Sequence, residues 1–577
     1  MIKEKIKTLL GNILTSLADK NNWSDFKIQE IVIERPTNIE FGDYTVNIAF
    51  GLAKQLGKSP QNIAQILADE INKSKPEEIE RAESVGGYIN FLLSAGFVRS
   101  QLAEIYKNRD SFGMSNVGAG RKVIVEYSSV NIAKPMHAGH LRNTLLGDAL
   151  ANILAFQGYE VIRWNYLGDW GTQFGKIIAA YKRWGDEKMV ESDPIKNLVE
   201  LYVRFNKEAA DNPDLERAGQ GEFKKLEAGD EENRRLWEMF VKKSIEALKE
   251  IYANLDIRFD TYIGESFYES KLKTLVGGLL EKGFAKVGEG GAIIIDLEKY
   301  GLPPGLIRKS DGATLYMTRD IANLEYRLSE FNPEKIIYVV ANEQALHFKQ
   351  LFAIAEILGL NEAELKHVSY GLILDEDNKK LSTRKGKMIT ADSIIGESVD
   401  RAESIVREKN KELSNEKCRE VANVVGLGAL KYSMLKDHTH SDIVFSWERI
   451  LDFRGNSGPY LQYTYARLMG ILNKSNRPEL SSSDLDNLVE KTELAIIKHL
   501  VDFPDIVVDS GKMYLTNNLA LYLYELANLA NRFYETTPII KDEDASRRNA
   551  RLVLISASAS TLKSGLELLG INVLEKI

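Results

Sequence analysis

One stretch constrains the fold more than any other: a strand, a loop and a helix start between residues 123 and 153. Residues 123–125 are an apolar run typical of a buried parallel strand, and from residue 141 apolar positions recur with helical spacing. His137 and His140 stand where this helix opens, and Gly139 between them removes a side chain, so a ligand can approach the backbone. Doubly wound sheets bind ligands where a strand meets a helix in this way. The stretch therefore predicts a parallel α/β domain with a ligand site at the two histidines.

The chemistry of this site favours a phosphate ligand. The first N–H groups of a helix have no intrahelical acceptor and attract anions. Two imidazoles beside them can hydrogen-bond phosphate oxygens and stabilise the charge that builds up when a phosphoryl group is attacked. Two unrelated histidines are the plainer interpretation, but the chain holds only seven His. A zinc site would need further N or S ligands, and the one Cys, Cys418, is far off in sequence, so we predict no metal site.

Several motifs resemble those of a single family. His137-Ala-Gly-His140 is similar to the HIGH signature of class I aminoacyl-tRNA synthetases, and residues 128–142 resemble the arginyl-tRNA synthetase version of it. The resemblance runs along the whole chain through Phe41-Gly-Asp-Tyr44, Gly168-Asp-Trp-Gly171, Tyr316-Met-Thr-Arg-Asp320 and Gly455-Asn-Ser-Gly-Pro-Tyr460. It implies ATP-dependent ligation of L-arginine to tRNA(Arg) through an arginyl-adenylate, with release of AMP and pyrophosphate. The implied cofactors and partners are ATP, Mg²⁺, L-arginine and tRNA(Arg).

Length and pattern divide the chain into four expected regions of a multidomain α/β protein, since 577 residues suffice for three or four domains. We expect an N-terminal α/β domain at 1–115, which the resemblance implies contacts tRNA. A class I Rossmann-like catalytic domain should follow at 116–395, with a helical insertion at about 183–256. A helical connecting region at 396–452 and an α-helical anticodon-binding bundle at 453–577 complete the chain. Strands are expected at 30–35, 88–93, 161–166, 335–340 and 368–374, and the catalytic fold should resume at 291–296 after the insertion.

Composition excludes some classes of protein. No run approaches the roughly 18 apolar residues of a membrane span, and the N-terminal stretch does not look like a secretory signal. One Cys and no targeting signal favour a reducing cytoplasm. The net charge of −8 does not itself indicate RNA binding, so an RNA surface must combine a local basic patch with base stacking. We expect a cytoplasmic monomer that binds neither DNA nor membrane.

A glycine-rich loop at 168–175 follows the second strand and can cradle phosphate or ribose. It is not a P-loop, because Trp170 stands where the first Gly should be and Ile177 where Ser or Thr would hold magnesium. A plain tight turn is the alternative, whereas the resemblance implies an adenylate-site loop. The ATP-binding residues that the resemblance implies are Gly139, Asn143, Gly168, Asp169, Gly171, His347 and Ser382.

A basic loop at 375–387 carries five cations within nine residues, which suits a mobile loop that meets polyphosphate; a surface hairpin is the alternative. Lys380-Leu-Ser-Thr-Arg384 resembles the KMSKS loop, with Lys380 matching its first lysine. Thr383 stands where the second lysine is usual, so one cation is missing. The resemblance implies that Lys134 compensates, with Arg384 and Lys385 as alternatives. The expected catalytic residues are His137, His140, Lys134 and Lys380.

Selection of arginine needs carboxylates and other acceptors in one plane, because its side chain is a planar and always charged fork of donors. Five residues match arginine-binding positions of the family: Glu126, Asn131, Tyr316, Asp320 and Gln344. The match assigns the guanidinium to Asp320 and Tyr316, which stand four apart on one helical face. The others should hold the α-amino and carboxylate end or line the pocket. A buried polar residue that caps a strand or helix is the alternative for each.

Two other functions share parts of this pattern. A nucleotidyltransferase of the HIGH superfamily is disfavoured, because such enzymes are short and lack terminal RNA-binding modules. A catalytically inactive paralogue that only binds tRNA is disfavoured, because both histidines and all five pocket candidates are present.

Overall fold

The computed structural model describes residues 2–21, 31–36, 38–132, 134–381, 383–384, 387–475 and 478–577. These residues form an antiparallel N-terminal sheet, a parallel central sheet and a helical C-terminal part. Among the helices described, none combines the length and the apolar character that crossing a membrane requires.

The N-terminal part is a four-stranded antiparallel sheet of order β1-β2-β4-β3 with helices packed on it. The expected strand at 88–93 is confirmed, and of the strand expected at 30–35 the described part is Ile33–Glu34. Helix starts follow capping rules: the Ser59 hydroxyl accepts the Asn62 N–H, with Pro60 in the first turn. The elements are α1 (Ile2–Asn21), β1 (Ile33–Glu34), β2 (Tyr44–Val46), α2 (Ile48–Leu56), α3 (Pro60–Ser74), β3 (Ile79–Val85), β4 (Tyr88–Leu93) and α4 (Ala95–Lys107).

The central part begins with a strand, helix, strand and helix, followed by four insertion helices. The predicted strand–loop–helix stretch is confirmed, and β5 is buried because it has a parallel neighbour on each side. Residues 187–254, within the helical insertion expected at about 183–256, form four of these helices. The elements are β5 (Lys122–Glu126), α5 (Ala138–Phe156), β6 (Glu160–Trp164), α6 (Thr172–Trp184), α7 (Glu187–Ser192), α8 (Pro194–Ala209), α9 (Pro213–Ala228) and α10 (Glu231–Asn254).

The chain then returns to complete the parallel sheet, whose order is β11-β10-β5-β6. The run at 291–296 does not join that sheet: Ile293–Ile295 is the middle strand of a separate antiparallel sheet. Its three isoleucines give no information about the partner strand, so the sequence could not distinguish the two sheets. The elements are α11 (Glu269–Glu281), β7 (Lys286–Val287), β8 (Ile293–Ile295), β9 (Gly305–Arg308), α12 (Tyr316–Phe331), β10 (Lys335–Ala341), α13 (Ala345–Leu358) and β11 (Glu364–Tyr370).

The strand expected at 368–374 is interrupted. It divides into β11 and a second strand, Ile373–Leu374, which pairs instead with Ile443–Val444. The break lies where the buried Arg142 guanidinium donates to the carbonyl oxygens of Gly371 (2.7 Å) and Leu372 (3.4 Å). The strand is therefore interrupted where a side chain from a distant part of the chain binds its carbonyl groups. The region expected to be helical at 396–452 contributes one strand, Ile443–Val444.

The C-terminal part is helical from residue 458 onward, as expected for 453–577. Of its aromatics, Tyr514, Tyr522 and Phe533 are buried, whereas Tyr534 is exposed. The elements from residue 373 are β12 (Ile373–Leu374), β13 (Thr383–Arg384), β14 (Lys387–Met388), α14 (Ala391–Lys409), α15 (Asn415–Leu435), β15 (Ile443–Val444), α16 (Trp447–Ile450), α17 (Gly458–Asn473), α18 (Ser482–Leu485), α19 (Lys491–Val501), α20 (Phe503–Met513), α21 (Thr516–Thr536) and α22 (Ala545–Leu568).

Candidate active site

The two histidines cap the start of α5 and each other. Nδ1 of His137 accepts the N–H groups of Gly139 (3.1 Å) and His140 (3.4 Å), and Nδ1 of His140 accepts the N–H of His137 (3.3 Å). The rings stack with centroids 3.8 Å apart. A Cβ on Gly139 would lie 3.1 Å from Cε1 of His137, so a side chain there would crowd the first ring. Because both Nδ1 atoms accept hydrogen bonds, a neutral ring at either position carries its proton on Nε2.

Both rings are held neutral. Burial lowers the pKa of His140 to about 3, and the nearby charges of His137 and Lys134 act in the same direction. Burial also lowers the pKa of His137, assisted by the charge of Lys380. The site therefore presents two neutral Nε2–H donors. Lys134 and Lys380 lie close enough for their charges to lower the pKa values of the two histidines.

The basic loop is anchored beside these histidines. His137 forms an isolated antiparallel bridge with Thr390, and the Ala391 N–H donates to the Met136 carbonyl at 2.7 Å. The loop forms the β13–β14 hairpin, and Nζ of Lys380 lies 3.3 Å from a carboxylate oxygen of Glu343. The hairpin geometry and the resemblance to a catalytic loop are thus compatible. Ser382 and Lys385, two of the residues singled out in the sequence, lie outside the described residues.

Asn143, expected to contact ATP, is hydrogen-bonded to the loop after β5. Its Oδ1 accepts the Ser128 N–H at 2.6 Å, and its Nδ2 donates to the Val339 carbonyl (2.6 Å) and the Tyr370 hydroxyl (3.2 Å). The side chain is buried. Ser128 and Ser129 have φ values of 68° and 48°, a left-handed conformation that needs such support. The amide of Asn143 is thus hydrogen-bonded within the protein, and its expected contact with ATP stays a prediction.

The glycine-rich loop is fitted closely to Asn131. The two segments form a parallel bridge, and a Cβ on Gly168 would lie 2.2 Å from Oδ1 of Asn131, so only glycine permits this approach. Gly171 caps α6 with φ 126°, a conformation that other residues rarely adopt. Asp169 is buried and accepts the Ser266 N–H (2.8 Å) and hydroxyl (2.7 Å). This predicted ATP ligand therefore ties the loop to the segment that precedes α11.

That segment carries a carboxylate that the sequence analysis missed. Glu265 is 7% exposed, and burial raises its pKa to about 8; the charges of Asp320 and Asp169 reinforce this, while Arg319 opposes it. A Cβ on Gly264 would lie 2.6 Å from the Leu167 carbonyl oxygen. The close packing requires glycine at 264, and this glycine is the one sequence signal beside Glu265. No periodicity or charge pattern marks Glu265 itself as a site residue.

The five expected arginine-binding residues occupy different environments. Asp320 is hydrogen-bonded to His347, with Oδ2 of Asp320 and Nε2 of His347 2.6 Å apart. Burial alone would lower the pKa of His347, but this contact raises it. His347, expected at the nucleotide, is thus joined to the arginine candidate. Tyr316 is 65% exposed at the start of α12, and Gln344 is exposed just before α13.

Glu126 already has a partner within the protein. Its carboxylate pairs with the fully buried Arg327, whose guanidinium carbon lies 4.4 Å from the ring centroid of Trp164. Burial raises the pKa of Glu126 despite this pairing. Glu126 is therefore already paired with a buried cation of the protein, and its expected place at the arginine site stays a prediction.

Three family models match the chain, each over a different part. "Arginyl tRNA synthetase N terminal domain" matches residues 2–93, "tRNA synthetases class I (R), catalytic domain" matches 101–447, and "DALR anticodon binding domain" matches 461–577. Together they span nearly the whole sequence and correspond to the three structural parts above.

Full-length relatives agree with these matches. A Clostridium botulinum protein named arginine–tRNA ligase is 41% identical over 570 residues, covering 98% of this chain and 99% of that protein. A protein of the same name from Alkaliphilus metalliredigens is 38% identical over 577 residues, covering 100% and 99%. The solved arginyl-tRNA synthetase of Thermus thermophilus superposes with a TM-score of 0.83 at 27% identity over 100% of both chains. That of Plasmodium falciparum gives 0.82 at 28% identity, covering 100% of this chain and 99% of the other.

Proposed function

This chain belongs to the arginyl-tRNA synthetase family, and from that premise we propose how its residues activate arginine. The enzyme is an ATP-dependent arginine–tRNA ligase. The reaction proceeds in two steps at the α5 site. The arginine carboxylate first attacks the α-phosphorus of ATP, and the bond to the β-phosphate breaks with its electron pair on pyrophosphate. A ribose hydroxyl of tRNA(Arg) then attacks the carbonyl carbon of arginyl-adenylate, and AMP leaves.

The observation that carries this proposal is that Nδ1 of His137 and Nδ1 of His140 both accept backbone N–H groups at the start of α5, which leaves Nε2–H of each neutral ring free to donate. Negative charge builds up on the α-phosphate oxygens in the transition state, and donors aimed there stabilise it more than the ground state. Lys134 and Lys380 supply positive charge at the same place, as their influence on the two histidines indicates. We expect ATP to enter as its Mg²⁺ complex, since the metal ion bridges phosphate oxygens and neutralises their charge.

Arginine binds between α12 and the segment Glu265–Tyr268, which are in contact. Asp320 and Glu265 receive the guanidinium, and Tyr316 lies one helical turn before Asp320 on α12. Asn131 and Gln344 hold the α-amino and carboxylate end, which directs the carboxylate toward the histidines. His347 occupies Asp320 until the substrate guanidinium takes its place.

The outer parts hold the tRNA. Tyr463 and Tyr534 are 37% and 44% exposed in the C-terminal bundle, and the Arg467 guanidinium carbon lies 5.0 Å from each ring. Exposed aromatics beside an arginine suit stacking on the unpaired bases of an anticodon loop. The N-terminal sheet contacts another part of the same tRNA, and the enzyme works as a cytoplasmic monomer.

Replacement of His140 tests the proposed role directly. His140→Ala should slow single-turnover formation of arginyl-adenylate by about 100-fold, roughly the effect of one lost oxyanion donor, and should leave ATP binding nearly intact. His438→Ala is the matched control, since His438 is an exposed histidine whose Nδ1 also accepts a backbone N–H, from His440 at 3.3 Å. An equal loss of ATP affinity and rate would show that His140 supports binding or folding and not the transition state.

A further inference from the structure

The hydroxyl of Tyr166 makes no hydrogen bond to the described part of the protein. Tyr166 lies between the end of β6 and Gly168, and its hydroxyl oxygen is buried. The neighbouring Tyr268 differs: its ring centroid is 6.3 Å away, but its hydroxyl donates to Oδ1 of Asn323 at 2.9 Å. Buried polar groups are normally paired, so an unpaired one calls for a reason. A phenylalanine would fill the same volume at Tyr166 without leaving a polar atom unpaired.

The surroundings of Tyr166 supply that reason. Three carboxylates from different elements lie near enough to disfavour ionisation of this hydroxyl: Asp320, Glu265 and Glu126. Burial and these charges raise the pKa of Tyr166 well above its ordinary value, so the hydroxyl keeps its proton. The Arg327 guanidinium carbon lies 5.9 Å from the centroid of the same ring. The hydroxyl is therefore a neutral group, unpaired within the described chain, and it is close to Asp320 and Glu265, the carboxylates proposed to receive the guanidinium.

We infer that Tyr166 is a specificity residue for arginine, whose hydroxyl accepts an N–H of the substrate guanidinium and donates its own proton to a pocket carboxylate. A guanidinium carries five N–H donors in a fixed plane, which is more than two carboxylates can satisfy from one side. A neutral acceptor adds a further contact without adding negative charge to a crowded acidic pocket. This inference rests on the proposed placement of the guanidinium between Asp320 and Glu265.

Two phenylalanine variants test the inference. Tyr166→Phe should raise the KM for arginine about 10-fold, the usual order of effect for one hydrogen bond to a charged group, with kcat and the KM for ATP little changed. Its melting temperature without arginine should equal or exceed that of the wild type, because no hydrogen bond is lost in the free protein. Tyr268→Phe is the matched control and should lower the melting temperature while leaving the KM for arginine unchanged.

The alternatives give different results. A lower melting temperature for free Tyr166→Phe with an unchanged KM for arginine would show a structural hydroxyl and overturn the inference. Asp320→Asn separates this failure from failure of the proposed pocket. If Asp320→Asn raises the KM for arginine and Tyr166→Phe does not, only the role of Tyr166 is refuted. If neither variant changes it, the guanidinium binds elsewhere.

Discussion

The raised pKa of Glu265 predicts that arginine affinity depends steeply on pH. Arginine keeps its charge throughout, so its guanidinium should bind best when Glu265 is ionised. With a pKa of about 8, Glu265 is about 3% ionised at pH 6.5 and about 76% ionised at pH 8.5, from the ordinary titration relation. The KM for arginine should therefore fall about 25-fold between these two values, which corresponds to about 1.9 kcal/mol of binding free energy.

The assay is arginine-dependent pyrophosphate exchange across this pH range, with the KM for ATP measured alongside. Glu265→Gln removes the titrating group, so its KM for arginine should be higher and nearly independent of pH. His347 also titrates beside Asp320, and His347→Gln identifies its share, since the Glu265 contribution should persist in that variant. A wild-type KM that stays constant from pH 6.5 to 8.5, or an equal slope in Glu265→Gln, would refute the assignment.

The same residue has a consequence for stability. The folded pKa of Glu265 lies above the ordinary value of 4.5, so the folded state binds the proton more tightly than the unfolded state. Ionisation then lowers the free energy of unfolding progressively as pH rises from about 4.5 to about 8. Glu265→Gln should therefore melt at a higher temperature than the wild type at pH 8, and this advantage should vanish near pH 4.5. Such a gain in stability together with a loss of arginine affinity is typical of a residue kept for function.

Four further substitutions address the remaining assignments. Lys134→Ala should slow adenylate formation severely, and Thr383→Lys should recover part of the loss in the double mutant while changing the wild type little; simple additivity would point to Arg384 or Lys385 instead. Asp320→Asn should cost about 2 to 5 kcal/mol of arginine affinity, and an unchanged KM for arginine would remove Asp320 from the pocket. Asn143→Ala should lower the melting temperature because three buried partners lose their hydrogen bonds; a raised KM for ATP with normal stability would instead favour direct nucleotide contact.

Local pattern predicted the elements whose partners lie close in sequence. The strand, loop and helix around His137 follow from apolar spacing and from the rules for helix starts, and the structure places both histidines as expected. The helical insertion and the C-terminal bundle follow from the same periodicity. The sequence could not predict the mutual capping of the histidines, because the orientation of each ring depends on backbone geometry that spacing does not specify.

The remaining differences come from contacts between distant parts of the chain. The strand expected at 368–374 is interrupted where Arg142 binds the Gly371 carbonyl, and these two residues are 229 positions apart in sequence. Arg327 neutralises Glu126 from another element, and Asp169 is held by Ser266 after the whole insertion. Glu265 joins the pocket only through that same packing. Residue type identified the groups that bind charge, but tertiary structure decides which of them remain open to a substrate.

Pyrophosphate exchange into ATP tests the central claim most directly, because exchange requires reversible formation of an aminoacyl-adenylate. We expect exchange with arginine in the presence of tRNA(Arg), a much lower rate without the tRNA, and no exchange with lysine in place of arginine. His140→Ala should abolish most of the signal, and His438→Ala should retain it. Exchange at full rate without tRNA would refute tRNA dependence alone. No exchange with arginine and tRNA, or equal exchange with lysine, would contradict arginine activation at the α5 site.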